Sequence, residues 1–153
     1  MATQSDFTSE EWMKLIYAPF LAGSLVMGSD VSVLSIPKES AAILKGATDS
    51  KVDKEGVVAK LAKDFKRNAK KLDTPTLGKE ENFQATLERI REAAAILKAK
   101  ATPEEFDSFK AWVMHTAQVT AEAAKEGKTF HKKVRVSDKE KAMMERIQQA
   151  LGD

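Results

Sequence analysis

The chain contains no cysteine, and it has only two histidines and one tyrosine. Without cysteine it can form no disulfide, thiolate metal site or thiol nucleophile, and this composition is typical of a reducing compartment. So few histidines leave little material for a catalytic centre based on imidazole. These absences favour a cytoplasmic protein that is not an enzyme.

A long hydrophobic run is also missing. The longest stretch without charge, Leu15 to Ser29, is interrupted by Pro19 and two glycines, whereas a membrane-spanning helix needs about 20 apolar residues. Asp6, Glu10 and Glu11 precede this stretch, where a secretory signal would carry positive charge. The sequence therefore predicts neither a membrane anchor nor a secretory signal.

The charges almost balance. Lys and Arg total 25 against 23 for Asp and Glu, a formal net charge of +2, so the chain lacks the basic excess typical of nucleic-acid binders. A length of 153 residues suits one domain with a proper core. We predict a single helical domain over residues 1–153, with residues 1–7 as a flexible N-terminal tail.

The sequence contains three capping-box motifs. In each, a Ser or Thr side chain accepts a hydrogen bond from the backbone three residues on, and a Glu at that position bonds back to the cap. Such reciprocal bonding predicts a helix start. The three boxes are Thr8–Glu11, Thr102–Glu105 and Ser137–Glu140.

Apolar residues recur every three to four positions in several separate stretches, which is typical of amphipathic helices. No heptad pattern persists and no sustained strand pattern is present, so we predict an all-α, single-domain bundle of about six helices, mostly antiparallel. Pro19 predicts a kink or break near Tyr17 in the first helix. The predicted helices are Ser9–Gly28, Pro37–Lys45, Asp53–Lys71, Lys79–Ala101, Pro103–Lys125 and Ser137–Gly152.

Catalytic motifs are absent. The chain has no nucleophile elbow, no phosphate-binding loop and no Glu-x-x-His pair for a di-iron site. His115 lies about 180° from Phe106 on the fifth helix, so we interpret it as a hydrogen-bonded or solvated side chain. An enzyme assembled around His115 stays an open third hypothesis. Trp112 and Val119 beside it can either pack inside the domain or form a dimer surface.

Two local clusters of positive charge are the most distinctive surface features. One lies on the third helix opposite Val57, Leu61 and Phe65, along about 16 Å of helix, and the other lies in the link before the last helix. Together they could contact phosphates, although no aromatic residue interleaves with them as base stacking requires, and a solvated helix face is the alternative. The predicted anion-binding residues are Lys60, Lys63, Lys66, Arg67, Lys70, Lys71, Lys132, Lys133 and Arg135.

The segment from Ser137 to Gly152 resembles the last helix of the TerB family of tellurite-resistance proteins: an acidic helix start leads to Ile147 and a terminal Leu-Gly. Gly28-Ser29-Asp30 followed by Pro37-Lys38-Glu39 is similar to the family's other half-site. The resemblance implies an all-α protein that takes part in the response to metal stress. Val31 stands where the family has Gly, and Lys133 where it has Asp, so any inherited metal site is weakened.

Four acidic residues occupy positions that match the family motif, and the resemblance implies that they form a divalent-cation site: Asp30, Glu39, Asp138 and Glu140. Asp138 and Glu140 also have a purely structural explanation at the start of the last helix. The first hypothesis is thus a non-enzymatic TerB-like protein that acts through a protein partner, a homodimer or weak cation contacts, with no other cofactor. The alternative is an anion or nucleic-acid binding module that uses the two basic clusters.

Overall fold

The computed structural model describes residues 2–29, 36–49, 54, 56–69, 80–126 and 137–152, with side chains of 36–40, 80 and 124–126 left out. Within these ranges the chain forms six α-helices and one short 3-10 helix, and it forms no strand. The predicted all-α bundle is therefore confirmed. The helices are α1 (Ser9–Ser29), α2 (Ile36–Ala47), α3 (Val57–Asn68), α4 (Glu80–Lys100), α5 (Pro103–Glu126) and α6 (Asp138–Leu151).

All three predicted capping boxes are present. At α5, the Thr102 N–H donates to Glu105 Oε1 at 3.1 Å, and the Glu105 N–H donates to Thr102 Oγ1 at 3.1 Å. The same reciprocal pair starts α1 at Thr8 and Glu11 and starts α6 at Ser137. These local bonds satisfy amides that have no partner inside the helix.

Helix α1 is the centre of the bundle. It packs against each of the other five helices, and every residue from Leu21 to Met27 is buried. Of the predicted kink or break near Tyr17, the break is absent, because α1 runs as one helix from Ser9 to Ser29 with Pro19 buried inside it. Pro19 removes only one backbone hydrogen bond, and the packing on all sides holds the helix together.

The pairing of helices follows from specific contacts. Lys14 of α1 forms an ion pair with Glu92 of α4, and Lys100 at the end of α4 pairs with Glu11 at 2.9 Å, so α1 and α4 are antiparallel. Only residues 101–102 separate α4 from α5, as in a helical hairpin. Helix α2 packs on α5, where the Trp112 indole N–H donates to the Ala47 carbonyl at 2.7 Å.

Aromatic residues fill the core between α3 and α5. Trp112 is fully buried and meets the ring of Phe65 edge-on, with 6.2 Å between centroids. Of the two positions left open by the sequence, Trp112 thus packs inside the bundle, and Val119 is half-buried near Gly46. The predicted cap of α3 at Asp53 lies outside the described residues, and α3 begins after Gly56.

The N-terminal segment differs from the flexible tail predicted for residues 1–7. Residues Gln4–Asp6 form the 3-10 helix, Ala2 and Phe7 are buried, and the Phe7 ring lies 5.7 Å from the Trp12 ring. The segment is held because Phe7 covers Trp12 and because the Ala2 N–H donates to Glu105 Oε1 at 3.1 Å.

Glu105 joins three parts of the chain. Besides its capping bond at Thr102, this carboxylate accepts from the Ala2 N–H and, through Oε2, from the Val57 N–H at 2.8 Å. Gly56 makes the approach possible with φ 52° and ψ −120°, since a Cβ there would lie 2.1 Å from Glu105 Oε2. The buried carboxylate thus fixes the starts of α3 and α5 relative to the N-terminal segment.

Candidate functional site

The described part of the third-helix cluster forms the α3 basic face, which we define as Lys60, Lys63, Lys66 and Arg67. The opposite side of α3 is buried in the core through Val57, Val58, Leu61, Ala62 and Phe65. An amphipathic helix anchored in this way has to direct its other side toward solvent. Lys63, Lys66 and Arg67 are accordingly exposed.

Lys60 is the member of the α3 basic face with an internal partner. Its Nζ lies 3.1 Å from Asp64 Oδ1 in an i,i+4 ion pair, and Asp64 is buried. The Trp12 indole N–H donates to Asp64 Oδ2 at 2.9 Å. Burial alone would raise the pKa of Asp64, but the Trp12 hydrogen bond and the Lys60 ammonium hold it below its ordinary value. Asp64 therefore stays ionised and neutralises Lys60.

The other three cations of the α3 basic face form no ion pair, as is also true of Lys45, Arg89, Lys98, Lys139 and Lys141 among the described residues. Elsewhere, Lys14 pairs with Glu92 and Glu10, Arg91 with Glu88, Lys100 with Glu11, and Lys110 with Asp107. Across residues 2–29, 36–49, 54, 56–69, 80–126 and 137–152, no ion pair involves Lys63, Lys66 or Arg67. They form an exposed patch of positive charge, although Arg67 lies close enough to Asp64 to help lower the pKa of that carboxyl.

The remaining predicted anion-binding residues cannot be placed beside this patch. Lys70 and Lys71 follow α3, and the second cluster precedes α6. All five lie outside the described residues: Lys70, Lys71, Lys132, Lys133 and Arg135. Of the predicted anion-binding residues, only those of the α3 basic face can therefore be described geometrically.

The predicted cation site is only partly described. Asp30 lies outside the described residues, and Glu39 lies in α2 without a described side chain. Asp138 is exposed, whereas Glu140 is buried and its Oε1 accepts from the Ser137 N–H at 3.0 Å. Among the described side chains, no group of three or more His, Asp or Glu is arranged to hold a metal ion. Within that part of the chain, Glu140 acts as a helix cap.

His115 is half-buried on α5, and its Nε2 lies 3.0 Å from Asp49 Oδ2 beyond the end of α2. The interpretation of His115 as a hydrogen-bonded side chain is therefore confirmed. The contact joins α5 to the segment after α2, next to the Trp112 bond to Ala47. It stabilises the packing of α2 on α5.

A groove between α1 and α3 was not anticipated. It has a volume of about 420 Å³ and is bordered by the N-terminal segment, by Trp12 and Ile16 of α1, and by Asp64 and Asn68 of α3. The i,i+4 spacing of Lys60 and Asp64 was a visible signal for the ion pair. Nothing in the pattern indicated that Trp12 would donate to Asp64, because that contact depends on how α1 and α3 pack.

Neither family models, curated proteins nor solved structures show a match to this chain. The TerB resemblance therefore stays a prediction that depends on its own residues. Of the helices that the structure describes, none has the length and apolar character needed to cross a membrane.

Proposed function

We propose that this protein is a non-enzymatic binding protein whose α3 basic face holds the phosphate backbone of a nucleic acid. The observation that supports the proposal is the patch formed by Lys63, Lys66 and Arg67, which are exposed and without an ion pair in the described chain. Because the other side of α3 is buried in the core, the patch is rigidly presented. Such a patch attracts polyanions and gains binding energy from counterion release.

The expected binding is weak and independent of base sequence. Three cations can neutralise only a few phosphates, and the α3 basic face contains no aromatic side chain on which a base could stack. Non-specific binding of this kind has dissociation constants on the order of 10⁻⁴ to 10⁻⁶ M at physiological salt. The affinity should fall steeply as salt is added, because each phosphate contact releases counterions.

A charge-reversal variant tests this proposal. In K63E/K66E/R67E, binding to a fluorescently labelled DNA duplex should be lost at physiological salt. If weak binding remains at low salt, the slope of log K against log salt should be smaller than that of the parent chain by roughly 2 to 3. The matched control is K45E/K139E/K141E, which changes the charge equally at exposed positions on α2 and α6. The control should lose far less affinity at moderate salt, where distant charges are screened.

Fluorescence anisotropy at several salt concentrations measures both slopes, and circular dichroism checks that each variant is folded. Equal affinity of K63E/K66E/R67E and the parent chain would refute the proposal. Equal losses in both triple variants would also refute it, since net charge rather than the α3 basic face would then determine binding.

The TerB resemblance supports a second proposal, a role in stress response through a protein partner or weak cation contacts. Glu140 favours the cation version, because its buried Oε2 has no hydrogen-bond partner in the described chain. A cation that binds only the folded state would raise the melting temperature. Differential scanning fluorimetry across divalent cations, with Glu140→Gln as the control, measures this. No shift with any cation would remove the cation version.

A further inference from the structure

A second concave surface lies along α1 beside α4, and Met13 lines both this surface and the groove between α1 and α3. Helices α1 and α4 border a cleft of about 260 Å³. Its apolar surface comes from Met13, Tyr17 and Leu21, which are spaced four residues apart and therefore share one face of α1. Charged side chains form the rim: Glu10 and Lys14 from α1, and Arg89 and Glu92 from α4.

The rim charges are not equally engaged. Lys14 pairs with Glu92 and lies 3.6 Å from Glu10, so its charge is compensated. The pKa of Lys14 is raised chiefly by its hydrogen bond from Nζ to Glu92. Arg89 stacks on the ring of Tyr17, 5.0 Å from its centroid, and no acidic side chain in the described ranges pairs with it. The cleft therefore offers one guanidinium with donors still available to a ligand.

The apolar part of the cleft is incompletely covered. Met13 is 39% exposed, and among the described residues only Leu44 is another large apolar side chain with such exposure. The Tyr17 ring is held in place by edge-on contact with Phe20, 5.6 Å between centroids. A preformed apolar surface with a few polar groups at its edge is the usual design of a small-molecule site.

Size restricts the ligand further. Typical pockets for drug-sized molecules measure about 300 to 1,000 Å³, so a cleft of about 260 Å³ suits a small molecule. The apolar surface of the cleft excludes a strongly polar ligand, because the polar groups of such a ligand would lose hydration there without gaining hydrogen-bond partners. The free guanidinium selects one negative charge, which it can bind with two parallel hydrogen bonds if that charge is a carboxylate.

We propose that the cleft between α1 and α4 binds a small amphiphile with one anionic headgroup, of the class of medium-chain carboxylates. The carboxylate accepts hydrogen bonds from Arg89, and the alkyl chain covers the exposed Met13 and the half-buried Tyr17. Glu10 and Glu92 stay paired with Lys14 and close the rim. This site is independent of the nucleic-acid binding proposed for the α3 basic face.

Octanoate is the probe, and isothermal titration calorimetry with the full chain is the measurement. Arg89→Gln should weaken octanoate binding roughly tenfold or more, because the amide cannot form a charge-assisted pair with the carboxylate. The matched control is Arg91→Gln, which removes the same side chain from the same helix outside the cleft, and it should bind octanoate like the parent chain. Met13→Glu should abolish binding by placing a charged side chain where the alkyl chain lies.

Four outcomes can overturn the proposal. If 1-octanol binds as tightly as octanoate, the anionic headgroup is not recognised and the assignment of Arg89 is wrong. If Arg89→Gln and Arg91→Gln bind octanoate equally well, or if the parent chain shows no heat of binding at either of two well-separated temperatures, the cleft is not a carboxylate site. K63E/K66E/R67E should keep full octanoate affinity, and its loss would place the ligand on α3 instead.

Discussion

The starts of α1 and α5 have the same local design and different surroundings. Each has a Thr cap and a Glu three residues on, with the same two reciprocal hydrogen bonds. Glu11 lies near the surface and pairs with Lys100 at 2.9 Å, whereas Glu105 is 1% exposed and accepts two further backbone N–H groups. A motif that is local in sequence thus becomes a tertiary contact at α5 because other segments pack against it.

The two carboxylates also differ in what controls their ionisation. The Thr8 backbone N–H and the Lys100 ammonium lower the pKa of Glu11. Burial works to raise the pKa of Glu105, but hydrogen bonds from the backbone of Val57, Thr102 and Ala2 lower it below its ordinary value of 4.5. One backbone donor and a surface ammonium stabilise the ionised form at α1, whereas three backbone donors do so at α5.

The sharpest way to break the α5 arrangement is Gly56→Ala. The new side chain would meet Glu105 Oε2 and would also hold a left-handed φ, so we expect a loss of about 2–4 kcal/mol in the free energy of unfolding. Gly152→Ala is the matched control, because Gly152 has φ 86° and no atom within 4 Å of a new Cβ. Urea unfolding followed by circular dichroism measures both. Equal losses would mean that backbone strain alone acts at Gly56.

Glu105→Gln should have the next largest effect, about 1–3 kcal/mol at neutral pH, because its amide group cannot accept from all three backbone donors. Glu104→Gln removes a charge at the neighbouring exposed position and should cost much less. Urea unfolding of the parent chain and both variants tests this. A loss in Glu104→Gln as large as in Glu105→Gln would show that helix-dipole charge, and not the buried contact, stabilises α5.

The same comparison has a defined pH dependence. Since the folded-state pKa of Glu105 lies below its ordinary value of 4.5, its ionised form contributes fully above that value and less as the pH falls toward the folded-state pKa. The stability gap between the parent chain and Glu105→Gln should therefore narrow below pH 4.5. A gap that stays constant down to the acid transition would contradict this assignment.

Glu11→Gln should have the smallest effect. Its partner Lys100 is about as solvated as Glu11 itself, with side chains 34% and 28% exposed, and exposed ion pairs are screened by salt. We expect a slight destabilisation that disappears when the unfolding titration is repeated in high salt. The corresponding loss in Glu105→Gln should persist in the same high-salt titration. Salt-insensitive destabilisation at both positions would remove the distinction between the two helix starts.

The two helix starts also show how far the sequence can predict this structure. A capping box is a pattern of near neighbours, so Thr8–Glu11 and Thr102–Glu105 were both found from spacing alone. The further contacts of Glu105 involve Ala2 and Val57, which are distant in sequence, and no periodicity reports on them. For the same reason the first residues were predicted to be a tail although Phe7 packs on Trp12.

The two candidate sites also differ in how far the sequence can predict them. The α3 basic face follows from helical periodicity, because Lys63, Lys66 and Arg67 lie opposite an apolar stripe on the same helix. The cleft between α1 and α4 needs the alignment of Tyr17 with Arg89, which depends on the packing of two helices. Pro19 is a case in which a local sequence signal misleads. Its preference for a helix break is overridden because the residue is buried inside α1.

The central position of α1 has a consequence for how the molecule opens. An outer helix such as α6 can detach and leave most of the bundle in place, but α1 contacts all five other helices. Its amides between Leu21 and Met27 can reach solvent only when the whole core separates. In hydrogen–deuterium exchange these amides should be the slowest in the chain, and their rates should report the global free energy of unfolding.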